Sequence, residues 1–411
     1  MNQSPPPATT GPAGTASDGP TAALVAGYAG SGPALDLGAL LWKGACLPDV
    51  PVRVPLPLLT WHGLITGAGT DRTRTLRLIA ERLSAHGVPV LLTDLTGALN
   101  GLADPGEGSE HLERRAAELG EEWTALGYPL QRYAPGGGGT DAGRPSDPAL
   151  VAALNLLAAM EREGASALFG TSSGPGESAG SGASGDSAGS AGLGALADSD
   201  VSAATGASAG SGANAGSDTS AGPAASALFG ASAFDADRFV RTAADGRGLV
   251  SVLDLSALRE QPRQCAALSV WLSAGLCRAL PEVGKVPKPA LVCCLDEAGL
   301  LFGSGSPGLR EAVAQALRLL GSRGVGVFLA AGSPEEIPAE VRERLAHRVR
   351  LTPGPGEAVV SVLDVRGERL PEAAVRLRVP QSLMSPAEGA ELDRAIGAAR
   401  PPSGAGGRSG S

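Results

Sequence analysis

Leu58-Leu59-Thr60-Trp61-His62-Gly63-Leu64-Ile65-Thr66 is an apolar, strand-like run, and it ends in the glycine-containing turn Gly67-Ala68-Gly69-Thr70-Asp71-Arg72. Beyond the turn, Leu76, Ile79, Ala80 and Leu83 recur at i, i+3, i+4 and i+7, the spacing of one helix face. The pattern stops at His86-Gly87, a helix-terminating pair, and Val88-Pro89-Val90-Leu91-Leu92-Thr93-Asp94 reads as a second strand. Strand, turn, helix and strand form a βαβ unit, so the chain reads as an α/β protein with a mostly parallel sheet.

The same alternation extends outward. Downstream, Gly248 to Leu255 is an apolar strand, and a helix is predicted over 263–280 with Trp271, Leu272, Leu276 and Leu280. Another apolar strand runs from Pro289 through Cys293-Cys294 to the carboxylates Asp296-Glu297. A helix over 307–322, a strand from Gly324 to Ala330, and a last pair of strands at 358–364 and 373–379 complete the core. Upstream, Val52, Val54, Leu56 and Leu58 alternate with Arg53, Pro55 and Pro57; the prolines cannot donate to a ladder, which suits an edge strand or an extended segment.

Of 411 residues, 60 are glycine and 32 proline, so much of the chain is expected outside a packed core. The composition divides it into a disordered arm (1–24), the first part of the core (25–165), a low-complexity insert (166–230), the second part of the core (231–397) and a disordered tail (398–411). The insert is flanked by two copies of one word, Ser166-Ala167-Leu168-Phe169-Gly170 and Ser226-Ala227-Leu228-Phe229-Gly230, which reads as a duplication or as coincidence.

A net charge of −9 argues against coating nucleic acid or anionic membrane by bulk charge, though it leaves room for a local basic groove. The N-terminus lacks a basic segment followed by an apolar one, and no apolar run reaches the roughly 18 residues needed to cross a bilayer. A cytoplasmic protein without a membrane partner is therefore expected. The five cysteines form no CxxC or paired-histidine spacing, so neither a metal site nor a disulfide framework is predicted, and Cys293-Cys294 reads as buried packing.

A glycine-rich turn between strand and helix places backbone N–H groups and a helix N-terminus at one point, an arrangement suited to anions. A later strand ending in Asp-Glu is where P-loop NTPases hold magnesium and orient the attacking water. On these residues the chain resembles the bacterial HerA-like ATPases, the group described by its helicase HerA-like C-terminal domain, within the FtsK/HerA branch of P-loop NTPases. The resemblance rests on His62 to Ala68, Gly87 to Val90, Leu95 to Leu102, Asp245 to Gly248, Leu280 to Gly284 and Leu291 to Phe302. It continues through Ser322 to Phe328, Gly356 to Val360 and Pro380-Gln381-Ser382-Leu383-Met384, in family order. It implies a RecA-like core, ATP and Mg2+ as cofactors, nucleotide contacts at Gly67, Ala68, Gly69, Thr70, Asp71, Arg72 and Thr73, metal contacts at Thr73 and Asp296, and Glu297 as the catalytic acid.

The departures from the family pattern are concentrated at that site. Where the family reads G-x-x-x-x-G-K-T, this chain reads Gly67-Ala68-Gly69-Thr70-Asp71-Arg72-Thr73: Arg72 falls at the lysine, Asp71 at the second glycine, and the loop is one residue short. Only Lys43, Lys285 and Lys288 are lysines, so no realignment restores the missing one. A planar guanidinium does not replace a compact ammonium among phosphate oxygens. Asp71 would repel a phosphate charge by about 4 kcal/mol at about 4 Å and an effective dielectric of about 20, and pairing with Arg72 would only soften that. Asp94-Leu95-Thr96-Gly97 lacks a family lysine, Ala331-Gly332-Ser333-Pro334 lacks a γ-phosphate-sensing glutamine, and helical stretches before Ala153 and after Val349 are shortened, which trims surfaces used for ring assembly.

Simple structural roles stand beside these. Asp296 either holds metal or caps a strand end and pairs with Arg72. His62 and His86 read as packing or cap residues, and His111 and His347 as solvated helix residues. Arg344, Arg348 and Arg350 read as an arginine finger or as a charged helix face. The reading is a degenerate HerA-like P-loop NTPase with weak or absent hydrolysis and a structural or regulatory role, partnered by itself or by an active homologue. The alternative is an active HerA-type ATPase coupled to DNA processing through an arginine-containing P-loop; DNA enters by resemblance alone.

Overall fold

The computed structural model describes residues 22–28, 32–133 and 236–398, apart from 304–305, 355 and 365, together with helical residues 153, 156, 157 and 162. In chain order the elements are α1 (Ala22–Tyr28), β1 (Ala34–Trp42), β2 (Ala45–Pro55), β3 (Gly63–Thr66), α2 (Gly69–Ala85), β4 (Val90–Asp94), α3 (Glu110–Glu118) and β5 (Leu130–Tyr133). There follow β6 (Val250–Asp254), α4 (Pro262–Ala279), β7 (Leu291–Leu295), α5 (Pro307–Ser322), β8 (Val325–Ala331) and α6 (Ala339–Arg342). The last are β9 (His347–Leu351), β10 (Glu357–Ser361), β11 (Ala373–Leu377) and α7 (Pro386–Ala398).

The strands form one sheet in the order β2-β1-β11-β10-β9-β3-β8-β7-β4-β6-β5. From β9 to β5 every neighbouring pair is parallel, and β10, β11, β1 and β2 extend one side as an antiparallel apron. The βαβ unit β3-α2-β4 does not join adjacent strands. It steps over β8 and β7, which places the end of β3 two strands from the end of β7. This is the mostly parallel α/β architecture that the sequence predicts.

Alternation along the central strands sorts side chains into two cores. Leu91, Leu253, Cys293 and Leu329 face the core that contains α4 and α5 residues such as Leu268, Leu276, Leu309 and Leu320. Leu92, Val252, Cys294 and Phe328 face the core that contains α2 residues Leu76, Ile79 and Leu83. Cys293 and Cys294 thus lie on opposite faces of β7, a consequence of the two-residue period that excludes a bond between them. Burying each such aliphatic side chain contributes about 1.5–3 kcal/mol, and the two-sided core explains why these strands read as unbroken apolar runs.

The helices over 262–279 and 307–322 and the strands β4, β6, β7, β8 and β11 fall within two residues of the predicted ranges, and β10 ends three residues earlier than predicted. The proline-broken segment is β2, at the end of the sheet order.

The structure corrects two expectations. The strand predicted from Leu58 is confined to Gly63–Thr66, because Leu56–Trp61 forms a 3-10 turn. Pro55 and Pro57 withhold ladder donors there, and His62 ends the turn at φ 61 with its N–H on the Leu59 carbonyl. The residues expected on a helix at 347–350 instead form β9, pairing in parallel with β3, with His347 and Val349 buried and Arg348 and Arg350 exposed. His347 is therefore not a solvated helix residue. The insert with its two repeated words lies outside the described residues, as do residues 1–21 and 399–411.

Candidate functional site

Only Gly67 and Ala68 separate β3 from α2. The Gly67 N–H donates to the Ala331 carbonyl at the end of β8 (3.2 Å), and the Arg72 N–H donates to Ala68 (2.9 Å), closing the first helical hydrogen bond. Gly67 sits at φ 147, and a Cβ there would lie 2.5 Å from Leu351 Cβ, so the turn admits only glycine. Of the seven residues Gly67 to Thr73, the five from Gly69 onward are helical. Thr73 Oγ1 donates back to the Gly69 carbonyl at 3.0 Å, and Thr75 Oγ1 to Asp71 at 2.8 Å.

The side chain of Arg72 crosses to the end of β7. Its Nε donates to Asp296 Oδ1 at 2.7 Å, and Nη2 donates to Glu297 Oε1. Side-chain exposure is 5% for Arg72 and 2% for Asp296, against 39% for Glu297, so the Arg72–Asp296 contact is an interior ion pair with an outer arm. Burial works against the charge on Arg72, but the two carboxylates outweigh it and hold the guanidinium above its ordinary range. Burial pushes the Asp296 carboxyl up, and Arg72 offsets part of that rise.

Each acid is also fixed by the backbone. The Asp296 N–H donates to Thr93 Oγ1 on β4 (2.9 Å), and Asp296 Oδ1 accepts the Glu297 N–H (2.9 Å) as well as Arg72 Nε. Glu297 is left-handed, at φ 51 and ψ 40. For a residue with a Cβ that conformation costs about 1 kcal/mol or more, and it is sustained here by the surrounding bonds.

Of the residues expected to contact nucleotide or metal, Arg72, Asp296 and Glu297 come together. Thr73 turns its hydroxyl into the helix. Asp71 does not pair with Arg72; it pairs with Arg74, one turn along, and burial raises its carboxyl. His62 is a packing residue: its Nδ1 accepts the Val327 N–H (3.0 Å), leaving Nε2 to donate to the Leu317 carbonyl (2.7 Å). His86 caps α2. The neighbouring strand ends are closed by local bonds. Asp94 accepts N–H groups from Thr96, Gly97 and Leu99, and Asp254 pairs with Arg132 and Ser256. Glu336 accepts N–H groups from Gly332 and Ser333, in the segment where the resemblance implies a glutamine. That cap is readable in Ser333-Pro334-Glu335-Glu336, a capping-box spacing. Among the described residues no cluster of three or more His, Cys, Asp or Glu is arranged to hold a metal ion.

The protein family described as Helicase HerA-like C-terminal matches residues 43–145 and 199–353 of this chain. No curated protein sequence matches it. Among solved structures, similar ones include the bacterial conjugative coupling protein TrwBdeltaN70 with sulphate (15% identity, 83% of this chain and 92% of that one, TM-score 0.37). VirB4 of Thermoanaerobacter pseudethanolicus is another (12% identity, 88% and 99% coverage, TM-score 0.42). The cytoplasmic domain of the type VII secretion ATPase EccC of Thermomonospora curvata matches over 84% of this chain at 14% identity and TM-score 0.32, and there this chain spans only 28% of the other.

Proposed function

We propose that this chain, which belongs to the helicase HerA-like C-terminal family of P-loop ATPases, is a degenerate member that has given up efficient ATP hydrolysis and serves as a structural or regulatory partner. The observation that carries this reading is the Arg72 guanidinium seated on Asp296 and Glu297, the acids expected to hold magnesium and orient water. A magnesium ion on Asp296 would have to displace a cation already bonded there at 2.7 Å. Breaking a buried pair costs about 3–5 kcal/mol, which lowers a competing ligand's affinity by about two to four powers of ten. Asp71 adds a negative charge in the first turn of α2, and the two-residue connection offers fewer free N–H groups than a longer loop. As arranged, these residues do not fit a magnesium–nucleotide pair.

The role left to such a chain is assembly with a copy of itself or with an active homologue. Calorimetric titration with ATP, with and without magnesium, tests the reading: it expects no saturable binding in the micromolar range and no turnover. Micromolar affinity together with turnover that disappears in Glu297→Gln would overturn it in favour of a working ATPase with an arginine-containing loop.

A further inference from the structure

A second charged cleft lies on the other side of α2. Arg72 and Arg74 are two residues apart on one helix, so their side chains leave the axis about 200° apart. Arg72 reaches β7, whereas Arg74 faces the apron, where Asp71, Thr75 and Leu78 complete a wall. The opposite wall is Leu351, Gly356 and Glu357 of the β9–β10 turn together with the end of β11, and Arg115 of α3 and Leu392 of α7 close the ends.

Three arginines line this cleft with side chains at most 9% exposed: Arg74 at 7%, Arg115 at 3% and Arg378 at 9%. Their charges are unequally met. Arg378 is held by both oxygens of Asp36 at 3.0 and 3.1 Å and by Glu121 at 3.0 Å. Glu357 is committed to Arg376 at 2.6 Å. Arg74 has Asp71 on Nη2, while its buried Nε and Nη1 find no acceptor among the described residues. A buried guanidinium with two unmet donors costs several kcal/mol, which a bound acceptor would recover. Arg115 pairs with Glu118 at 3.4 Å, but burial and then the neighbouring Arg376 work against its charge and Glu118 and Glu357 offset them only in part, so a further negative group would be welcome there.

We propose that this cleft is an oxyanion-binding site in which Arg74 and Arg115 receive a phosphoryl or carboxylate group carried on an apolar body. The body is asked for by Leu78, Leu351, Leu377 and Leu392, which line the same cleft. The site is separate from the Arg72–Asp296 pair and stands whether or not that pair excludes nucleotide.

The test is isothermal titration at constant ionic strength with three probes: inorganic phosphate, phenyl phosphate and benzoate. One saturable site per chain is expected, with phenyl phosphate or benzoate binding at least about tenfold more tightly than inorganic phosphate, and the better of the two tells which oxyanion the site prefers. Arg74→Gln and Arg115→Gln, from different helices, should each weaken the better probe by about tenfold or more, while Arg310→Gln on α5 should not. Binding of equal strength in the two cleft variants and the unsubstituted protein overturns the proposal. Should neither variant fold, the unsubstituted protein decides: the absence of saturable heat with any probe up to about 10 mM overturns it as well.

Discussion

Arg72 Nε and Asp296 Oδ1 lie 2.7 Å apart, although 224 residues separate them in the chain. The bond ties the first turn of α2 to the end of β7, so the side chain of Arg72 acts as a strut between two elements. With side chains at 5% and 2% exposure, neither group has water to fall back on.

Removing one partner should therefore cost more than removing both. Arg72→Met is expected to destabilise by about 3–5 kcal/mol, because it leaves Asp296 charged, buried and unpaired. Adding Asp296→Leu should recover most of that loss. Urea unfolding of the two single variants and the double variant measures the coupling, and additive losses would contradict an interior pair.

Asp71→Gly combined with Arg72→Lys rebuilds the residue types of a phosphate loop without changing its length. No ATP turnover is expected in this variant, because α2 still begins two residues after β3. A coupled phosphate-release assay reads the outcome, and turnover above background would shift the explanation from loop length to side chains alone.

His62 and His347 are both pushed down to about 4 by burial. Unfolded histidine titrates near about 6.5, so between about pH 6.5 and 4 the unfolded chain binds protons that the folded one refuses. Each histidine therefore contributes stability that is present above that window and lost as pH falls through it, up to about 3 kcal/mol apiece. His62→Gln keeps an acceptor for the Val327 N–H and a donor for the Leu317 carbonyl but cannot be charged. Its unfolding free energy should fall less between pH 6.5 and 4.5 than that of the unsubstituted protein; parallel curves would rule out this origin.

Glu81 is fully buried on α2 and accepts the N–H groups of Gln381 (2.9 Å) and Ser382 (3.0 Å) and the Ser382 hydroxyl (2.6 Å). Arg77, also fully buried, donates to the Leu383 carbonyl at 2.7 Å. Together they fasten the segment after β11 onto α2. Glu81→Ala leaves three donors unmet and should cost about 3–5 kcal/mol, against about 1 kcal/mol for Ser382→Ala. Faster limited proteolysis between residues 380 and 390 in Glu81→Ala should accompany the loss, and cleavage at the original rate would show that the segment is held by other contacts.

Much of this architecture is legible in the sequence because its causes are local. The i, i+3, i+4, i+7 spacing of Leu76, Ile79, Ala80 and Leu83 sets α2, the apolar run around Cys293-Cys294 sets a strand buried on both faces, and the prolines of β2 mark a sheet edge. β9 was not legible, since its alternation of His347, Arg348, Val349 and Arg350 places a histidine where an apolar residue would signal burial. Its strand state depends on parallel pairing with β3, far away in the chain.

The candidate site divides in the same way. The sequence itself shows an Asp-Glu pair ending a later strand, and the resemblance to the family, read on the sequence, implies that Arg72 stands where a lysine is expected, that Asp71 stands where a glycine is, and that the loop is one residue short. Only the tertiary structure decides that Arg72 takes Asp296 and Glu297 while Asp71 takes Arg74, and that Arg74 and Arg115 meet in a cleft. Helix and strand patterns arise from neighbours within a few residues, whereas the partner of a buried charge is chosen by which distant elements the sheet brings within about 3 Å, where low dielectric makes the pairing strong.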